Sequence, residues 1–200
     1  MTDLRCERTL LEPGAITLWS DVFASESASL MRVLCEEAVF SQHRVRLFGR
    51  ELPAPRLSAW HGEPGCGYRY SGVRHEPLPL GPAMQELRAR VEALCGQSFN
   101  SVLLNLYRNG EDSMGWHSDD EPELGRAPFI ASVSLGAPRR FLLRSRTQPP
   151  RRHECLLGDG SLLLMEPPLQ SGWQHALPKA KRVTGPRLNL TWRLIRAESH

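Results

Sequence analysis

Residues 187–193 read RLNLTWR, and the alternation in that stretch decides how the rest of the chain is understood. At a period of two, Arg187, Asn189, Thr191 and Arg193 share one face of a strand, while Leu188, Leu190 and Trp192 share the other. A strand that turns two arginines inward between apolar side chains calls for something anionic beside them, because an unpaired buried charge is costly. Twelve positions upstream, His175 stands in GWQHALP (172–178). Further back, His117-Ser118-Asp119 lie within SMGWHSDDEPELG (113–125). His117 and Asp119 are two apart and project to the same side of an extended segment, so both reach one ion.

Two histidines and one carboxylate on one face of a metal make the facial triad of non-haem Fe(II) oxygenases, which leaves coordination positions open for substrate and O2. His117, Asp119 and His175 are the candidate ligands. An HxD pair alone arises often by chance, with a surface His near a loop Asp as the alternative. The arginine strand separates the two readings. An open-site iron needs electrons to split O2, and the chain has no haem or flavin motif. A 2-oxo acid bound at the metal, its far carboxylate clamped by Arg, supplies them. Asn105 and Tyr107, on one face of SVLLNLYR (101–108), add neutral hydrogen-bonding groups.

Around these residues the texture from Ser101 onward is of short strands and Gly/Pro turns. The segments are SVLLNLYR, FIASVSLG (129–136), RFLLRS (140–145), ECLLGDGSLLLM (154–165), GWQHAL (172–177) and RLNLTWRLI (187–195). Regular short strands imply a sandwich or barrel, with a jelly roll the economical choice. Upstream, ITLWSDVFA (16–24) reads as a strand entering a turn. A helix follows, with Ser25 as N-cap and Leu30, Val33, Leu34 and Ala38 at helical spacing. Residues 82–95 predict a second helix, with Pro82 at its start, Met84, Leu87, Val91 and Leu94 along one stripe, and Gly96 as its stop. The fold class expected is therefore mainly β with flanking helices (α+β).

Two hundred residues suit one domain with a real core, at 40% apolar and 24% charged residues. No run approaches the roughly 18 apolar residues of a membrane span. The charged start MTDLRCERTLLEP lacks a signal-peptide core, so the expectation is a cytoplasmic protein, nuclear in a eukaryote. Five scattered Cys without a CxxC fit a reducing compartment. The net charge of +3 is too mild to argue for nucleic acid. All but Lys179 and Lys181 of the 25 basic residues are arginine, which reflects either a preference for planar anions or genomic base composition.

Between the helices, VRLFGREL (45–52) and PAPRLSAWHG (53–62) form an expected hairpin region with Phe48-Gly49 at a tip. Phe48 is either core filler or, flanked by Arg44, Arg46 and Arg50, a wedge between bases. Tyr68 and Tyr70 in GYRYSG (67–72) are either core aromatics or a stacking platform for a flipped base. RSRTQPPRRHE (144–154) reads as a polar inter-strand loop, either a solvated tip or a phosphate-contacting flap.

Taken together, NLYRNG, HSDDEPEL, APFIASVSLG, GDGSLLLM, QHALP and RLNLTWR resemble the AlkB-type Fe(II)/2-oxoglutarate dioxygenases, in that family's order and over roughly residues 40–195. The resemblance implies a double-stranded β-helix (residues 99–196) behind an N-terminal extension and nucleotide-recognition lid with two helices (1–98). It implies iron on His117, Asp119 and His175. It implies 2-oxoglutarate on Asn105, Tyr107, Arg187, Asn189, Thr191 and Arg193, with Arg187 at the far carboxylate and Arg193 at the metal-proximal end. The implied activity is oxidation of the methyl group of 1-methyladenine or 3-methylcytosine in DNA, releasing formaldehyde, succinate and CO2. Tyr68, Tyr70 and Ser71 map to the family's base pocket, with Asp120 near the exocyclic amino group and Arg56 lining the site.

Asp119 is followed directly by Asp120-Glu121. The best-known bacterial member has one more residue there, whereas the animal members that repair duplex DNA match. That likeness extends to Phe48-Gly49 and YRYSG, so Phe48 is expected to act as a duplex wedge, on single- and double-stranded methylated DNA. The alternatives are an oxygenase of the same fold acting on RNA, protein or lipid, and a non-catalytic nucleic-acid binder. No membrane partner is expected, and the chain is expected to be a monomer.

Overall fold

The computed structural model describes residues 5–47, 50–70 and 73–196. The first strands are β1 (Cys6–Leu10), β2 (Ala15–Trp19), β3 (Arg44–Leu47), β4 (Arg50–Pro53), β5 (Leu57–Gly62), β6 (Tyr68–Tyr70) and β7 (Val73–His75). Then come β8 (Ser101–Tyr107), β9 (Met114–His117), β10 (Ile130–Gly136) and β11 (Arg139–Ser145). The last are β12 (Arg152–Leu157), β13 (Ser161–Glu166), β14 (Trp173–Leu177) and β15 (Arg187–Arg193). Helices are α1 (Ser27–Glu37), α2 (Pro82–Cys95) and the single turn α3 (Leu169–Gly172).

Two antiparallel sheets face each other as a jelly roll. The larger has seven strands in the order β1-β2-β13-β10-β15-β8-β5, and the smaller four, β12-β11-β14-β9. Strand β15 lies between β10 and β8 near the middle of the large sheet, and all seven of its residues are buried. Each face of it meets a different core. Leu188, Leu190 and Trp192 join a cluster with Leu34 of α1 and Met84, Leu87 and Val91 of α2. The opposite face of the sheet looks toward a second cluster, where Ile130, Leu163 and Met165 meet Phe141, Leu143, Trp173 and Leu177. The candidate functional residues line a pocket that shares Tyr107, Phe141, Met165 and Leu177 with this cluster.

Helix α2 follows its sequence signals. Pro82 occupies the first turn, and Gly96 ends the helix at φ 63°, a left-handed conformation that glycine adopts without steric cost. The backbone N–H groups of Ala83 and Met84, which no helical carbonyl can satisfy, donate to the Glu37 carboxylate at 2.8 and 3.3 Å. The end of α1 thereby caps the start of α2 and holds both helices on the large sheet.

Three expectations need correction, and one strand was not foreseen. Ser25 does not cap α1, which begins at Ser27 after a short 3-10 turn (Ala24–Glu26) and has no side-chain cap. ECLLGDGSLLLM is not one strand. It divides at Gly158-Asp159-Gly160 into β12 of the small sheet and β13 of the large one, with Gly160 at φ 72°. The polar segment from Arg144 is shorter than a 144–154 loop, because β11 runs to Ser145 and β12 starts at Arg152. The N-terminal stretch carries a strand, β1, at the edge of the large sheet.

The large sheet draws β1, β2 and β5 from residues 1–98 and the remainder from beyond. The hairpin of β3 and β4 pairs Leu47 with Arg50, and a second hairpin pairs Tyr68 of β6 with His75 of β7. Phe48, Gly49 and Ser71 lie outside the described residues, as do the side chains of Tyr68 and Tyr70.

Candidate active site

The small sheet brings the two histidines together. His117 at the end of β9 is the cross-strand partner of His175 on β14, and their rings meet edge to face at 4.2 Å. Asp119 follows two residues after β9. Its turn is pinned from behind: the Ser118 hydroxyl donates to the Trp173 carbonyl at 2.8 Å, and the Asp119 N–H donates to Gln170 Oε1 at 3.0 Å. One donor atom from each of His117, Asp119 and His175 then lies within 4.8 Å of the others.

Their chemistry fits a divalent metal. The Gly115 carbonyl, 2.9 Å from His117 Nδ1, can only accept, so Nδ1 carries the proton and Nε2 keeps its lone pair for a ligand. Burial, aided by His117 and Arg193, pushes His175 down to about 3 against the opposing pull of Asp119, so the ring is neutral at pH 7. Burial alone would raise Asp119, but nearby positive charge, Arg193 foremost, outweighs it and holds the carboxyl below its usual range. Arg193 forms a buried ion pair with Asp119 Oδ1, and His175 Nε2 lies 3.5 Å from Oδ2. Two imidazoles and one carboxylate are the donor set that Fe(II) takes in a facial triad.

Strands β15 and β8 build the opposite wall in register. Arg187 pairs with Tyr107, and Asn189 with Asn105. Arg187 is 2% exposed. Its Nη2 donates to Ser134 Oγ at 2.8 Å, and its guanidinium lies 5.3 Å from the centre of the Tyr107 ring. Its Nε has no hydrogen-bond partner among the described residues. Burial is the main cause that lowers its pKa to about 10, which still leaves it charged at pH 7. A buried cation with an unspent donor suits a carboxylate ligand. Asn189 is fixed by the Ser132 hydroxyl and the Val133 carbonyl (2.8 and 2.9 Å), and Thr191 donates to Asn189 Oδ1 at 3.2 Å.

All nine residues expected to hold iron or 2-oxoglutarate line one pocket. Leu103, Met114, Phe141, Met165 and Leu177 supply its apolar walls. Arg56 reaches the same place, its Nε donating to Asn105 Oδ1 at 2.9 Å. Asp120 is exposed, is not among the residues lining the pocket, and is paired with Arg146 at 3.0 Å, and the same Arg146 nitrogen donates to Ser118 Oγ at 2.9 Å. The following Glu121 carboxyl is raised by burial, against the pull of Arg193.

Sequence reasoning missed four supports. Ser132 and Ser134, two apart within IASVSLG, show the same alternation as β15 and could have been found by it. Gln170 had no local signal. Nor had Arg139, which is 1% exposed and donates to the carbonyls of Asn109, Asp112 and Pro178, tying together segments remote in sequence.

Comparison with known proteins agrees with this geometry. Residues 16–193 match the family model of the 2OG-Fe(II) oxygenase superfamily. The bovine alpha-ketoglutarate-dependent dioxygenase alkB homolog 3 is 39% identical over 204 residues, 98% of this chain and 68% of that protein. The human homolog 3 is 39% identical over 197 residues, 94% of this chain and 66% of that one. This chain thus spans about two thirds of their length. The mouse DNA oxidative demethylase ALKBH2 is 41% identical over 181 residues, 86% of this chain and 76% of its own. The solved structure of OsALKBH1 superposes with a TM-score of 0.65 at 15% identity, covering 94% of this chain and 100% of that one, a likeness of fold.

Proposed function

Because the chain belongs to the 2OG-Fe(II) oxygenase superfamily and, within it, to the AlkB-type dioxygenases, we infer that it oxidatively demethylates alkylated bases in DNA. The lesions are those whose methyl lies on a ring nitrogen of the base-pairing edge, 1-methyladenine and 3-methylcytosine. Bound iron and 2-oxoglutarate supply the oxidant from O2, with formaldehyde, succinate and CO2 as the products.

The chain's own residues do the rest. His117 presents Nε2, with Nδ1 turned to the Gly115 carbonyl, His175 presents a neutral ring, and Asp119 a carboxylate kept ionised by Arg193. Arg187 takes the far carboxylate of 2-oxoglutarate through its unspent Nε, and the stacked Tyr107 fixes its plane. Arg56 orients Asn105 toward the same ligand. The apolar walls from Leu103, Met114 and Leu177 keep water from the reacting methyl group. Asp120, released from Arg146, accepts the exocyclic amino group of the flipped base, which carries positive charge when methylated. Both single- and double-stranded DNA are substrates, with Phe48 as the wedge that opens the duplex.

One observation carries this reading: three metal-ligand atoms within 4.8 Å of one another share a pocket with a buried arginine whose Nε has no partner among the described residues. The test is aerobic incubation with Fe(II), 2-oxoglutarate and ascorbate on oligonucleotides bearing one 1-methyladenine or 3-methylcytosine, read by mass. Loss of one methyl mass, absent with His175→Ala, supports the reading. Succinate formed without demethylation would move the enzyme to another substrate. Phe48→Ala should impair duplex more than single-strand repair, and equal loss on both would remove the wedge.

A further inference from the structure

The outer face of the small sheet carries an exposed aromatic ring that the chemistry above does not use. Trp116 stands on the edge strand β9 directly before His117, so the two side chains leave the strand on opposite faces. Trp116 is 38% exposed. Arg144, on β11, lays its guanidinium 4.4 Å from the ring centre. Arg144 Nε and Nη2 both donate to Oε1 of Gln174, on the intervening β14, at 3.0 and 2.9 Å. Side chains from three adjacent strands therefore hold one flat stack at the surface.

The charge there is uncompensated. Arg152 on β12 is the direct cross-strand partner of Arg144. It is exposed, and its side chain has neither a hydrogen bond nor an ion pair among the described residues. Like charges directly opposite on a sheet are destabilising, and Arg144's hydrogen-bond partner is a neutral amide. Elsewhere on the same face, Arg140 is matched by Glu154 at 2.5 Å. Two arginines side by side next to an exposed indole are complementary to a phosphate adjoining a flat base. A Cβ built at Gly115, beside Trp116 on the edge strand, would meet nothing within 4 Å, so the strand edge there is uncovered by the described residues.

We propose that Trp116, Arg144 and Arg152 form a second contact for the nucleic-acid strand whose modified base enters the pocket. An unmodified neighbouring base stacks on Trp116, and the adjoining phosphate is met by the two arginines. This rests on the reading of the substrate as a nucleic acid.

The test is fluorescence anisotropy of the metal- and 2-oxoglutarate-loaded protein with an unmodified single-stranded DNA of about 15 nucleotides, within the span one such groove covers. Trp116→Ala weakens binding at least about fivefold, the low end of one lost base stack. Trp116→Phe restores most of it, and Trp116→Leu, which keeps apolar bulk without a π face, does not. The double variant Arg144→Gln/Arg152→Gln lowers the slope of log K against log salt by about 0.7, the share of one phosphate on a single strand. Wild-type affinity in Trp116→Leu, an unchanged salt slope, or no binding by the wild type overturns the proposal. Weakened binding by Trp116→Ala without demethylation of any methylated oligonucleotide would leave this contact standing and reject the demethylase reading.

Discussion

The two faces of β15 are equally buried and built on opposite rules. On one face Leu188, Leu190 and Trp192 fill space against α1 and α2. Any side chains of similar volume would serve there at modest cost. On the other face Arg187, Asn189, Thr191 and Arg193 each hold named partners, and each tolerates little change. The first face is specified by volume and the second by donors and acceptors. A single alternation thus anchors the fold and shapes the site. Substitutions on the apolar face should reduce stability before they touch ligand binding, and substitutions facing the pocket the reverse.

The largest effect expected is on catalysis. His175→Ala removes one of three metal ligands and should lower turnover about 10³-fold or more, with iron content measured alongside to show the cause. Retained iron and turnover would remove His175 from the ligand set. Next, Trp192→Ala should cost about 3–5 kcal/mol of stability by denaturant titration. In whatever fraction stays folded, 2-oxoglutarate affinity should change less than twofold. Impaired binding with full stability would erase the contrast between the faces.

Arg187→Lys should raise the KM for 2-oxoglutarate roughly 10–100-fold, because an ammonium cannot reproduce a planar two-point contact. An unchanged KM would mean the far carboxylate lies elsewhere.

The smallest effect is on pH dependence. His175 is depressed to about 3 in the folded metal-free protein, against 6.5 unfolded. Between those values the unfolded chain binds the extra proton, so stability falls as pH drops from 6.5 toward 3, by at most about 1.4 kcal/mol per unit. Denaturant midpoints of the metal-free protein at pH 7 and 5 should show this slope, and His175→Ala should flatten it.

How far the sequence spoke follows the same division. The alternation of RLNLTWR and the HxD spacing were legible because each is a short-range pattern. β1 was not, since CERTL is largely exposed at a sheet edge and lacks an apolar rhythm. The break between β12 and β13 was hidden by apolar residues on both sides of Gly158-Asp159-Gly160, which end one sheet and begin the other. Arg139 and Gln170 were invisible because their partners are distant in sequence. Trp116 was present in the motif, and only the sheet register showed Arg144 laid over it.

The most direct test is calorimetric titration of 2-oxoglutarate into protein loaded with Mn(II), a redox-silent substitute for iron. The wild type and Leu188→Ala should bind one equivalent with similar affinity, and Arg187→Gln should lose at least about tenfold. Equal binding by Arg187→Gln and the wild type would contradict the assignment of that face to the ligand.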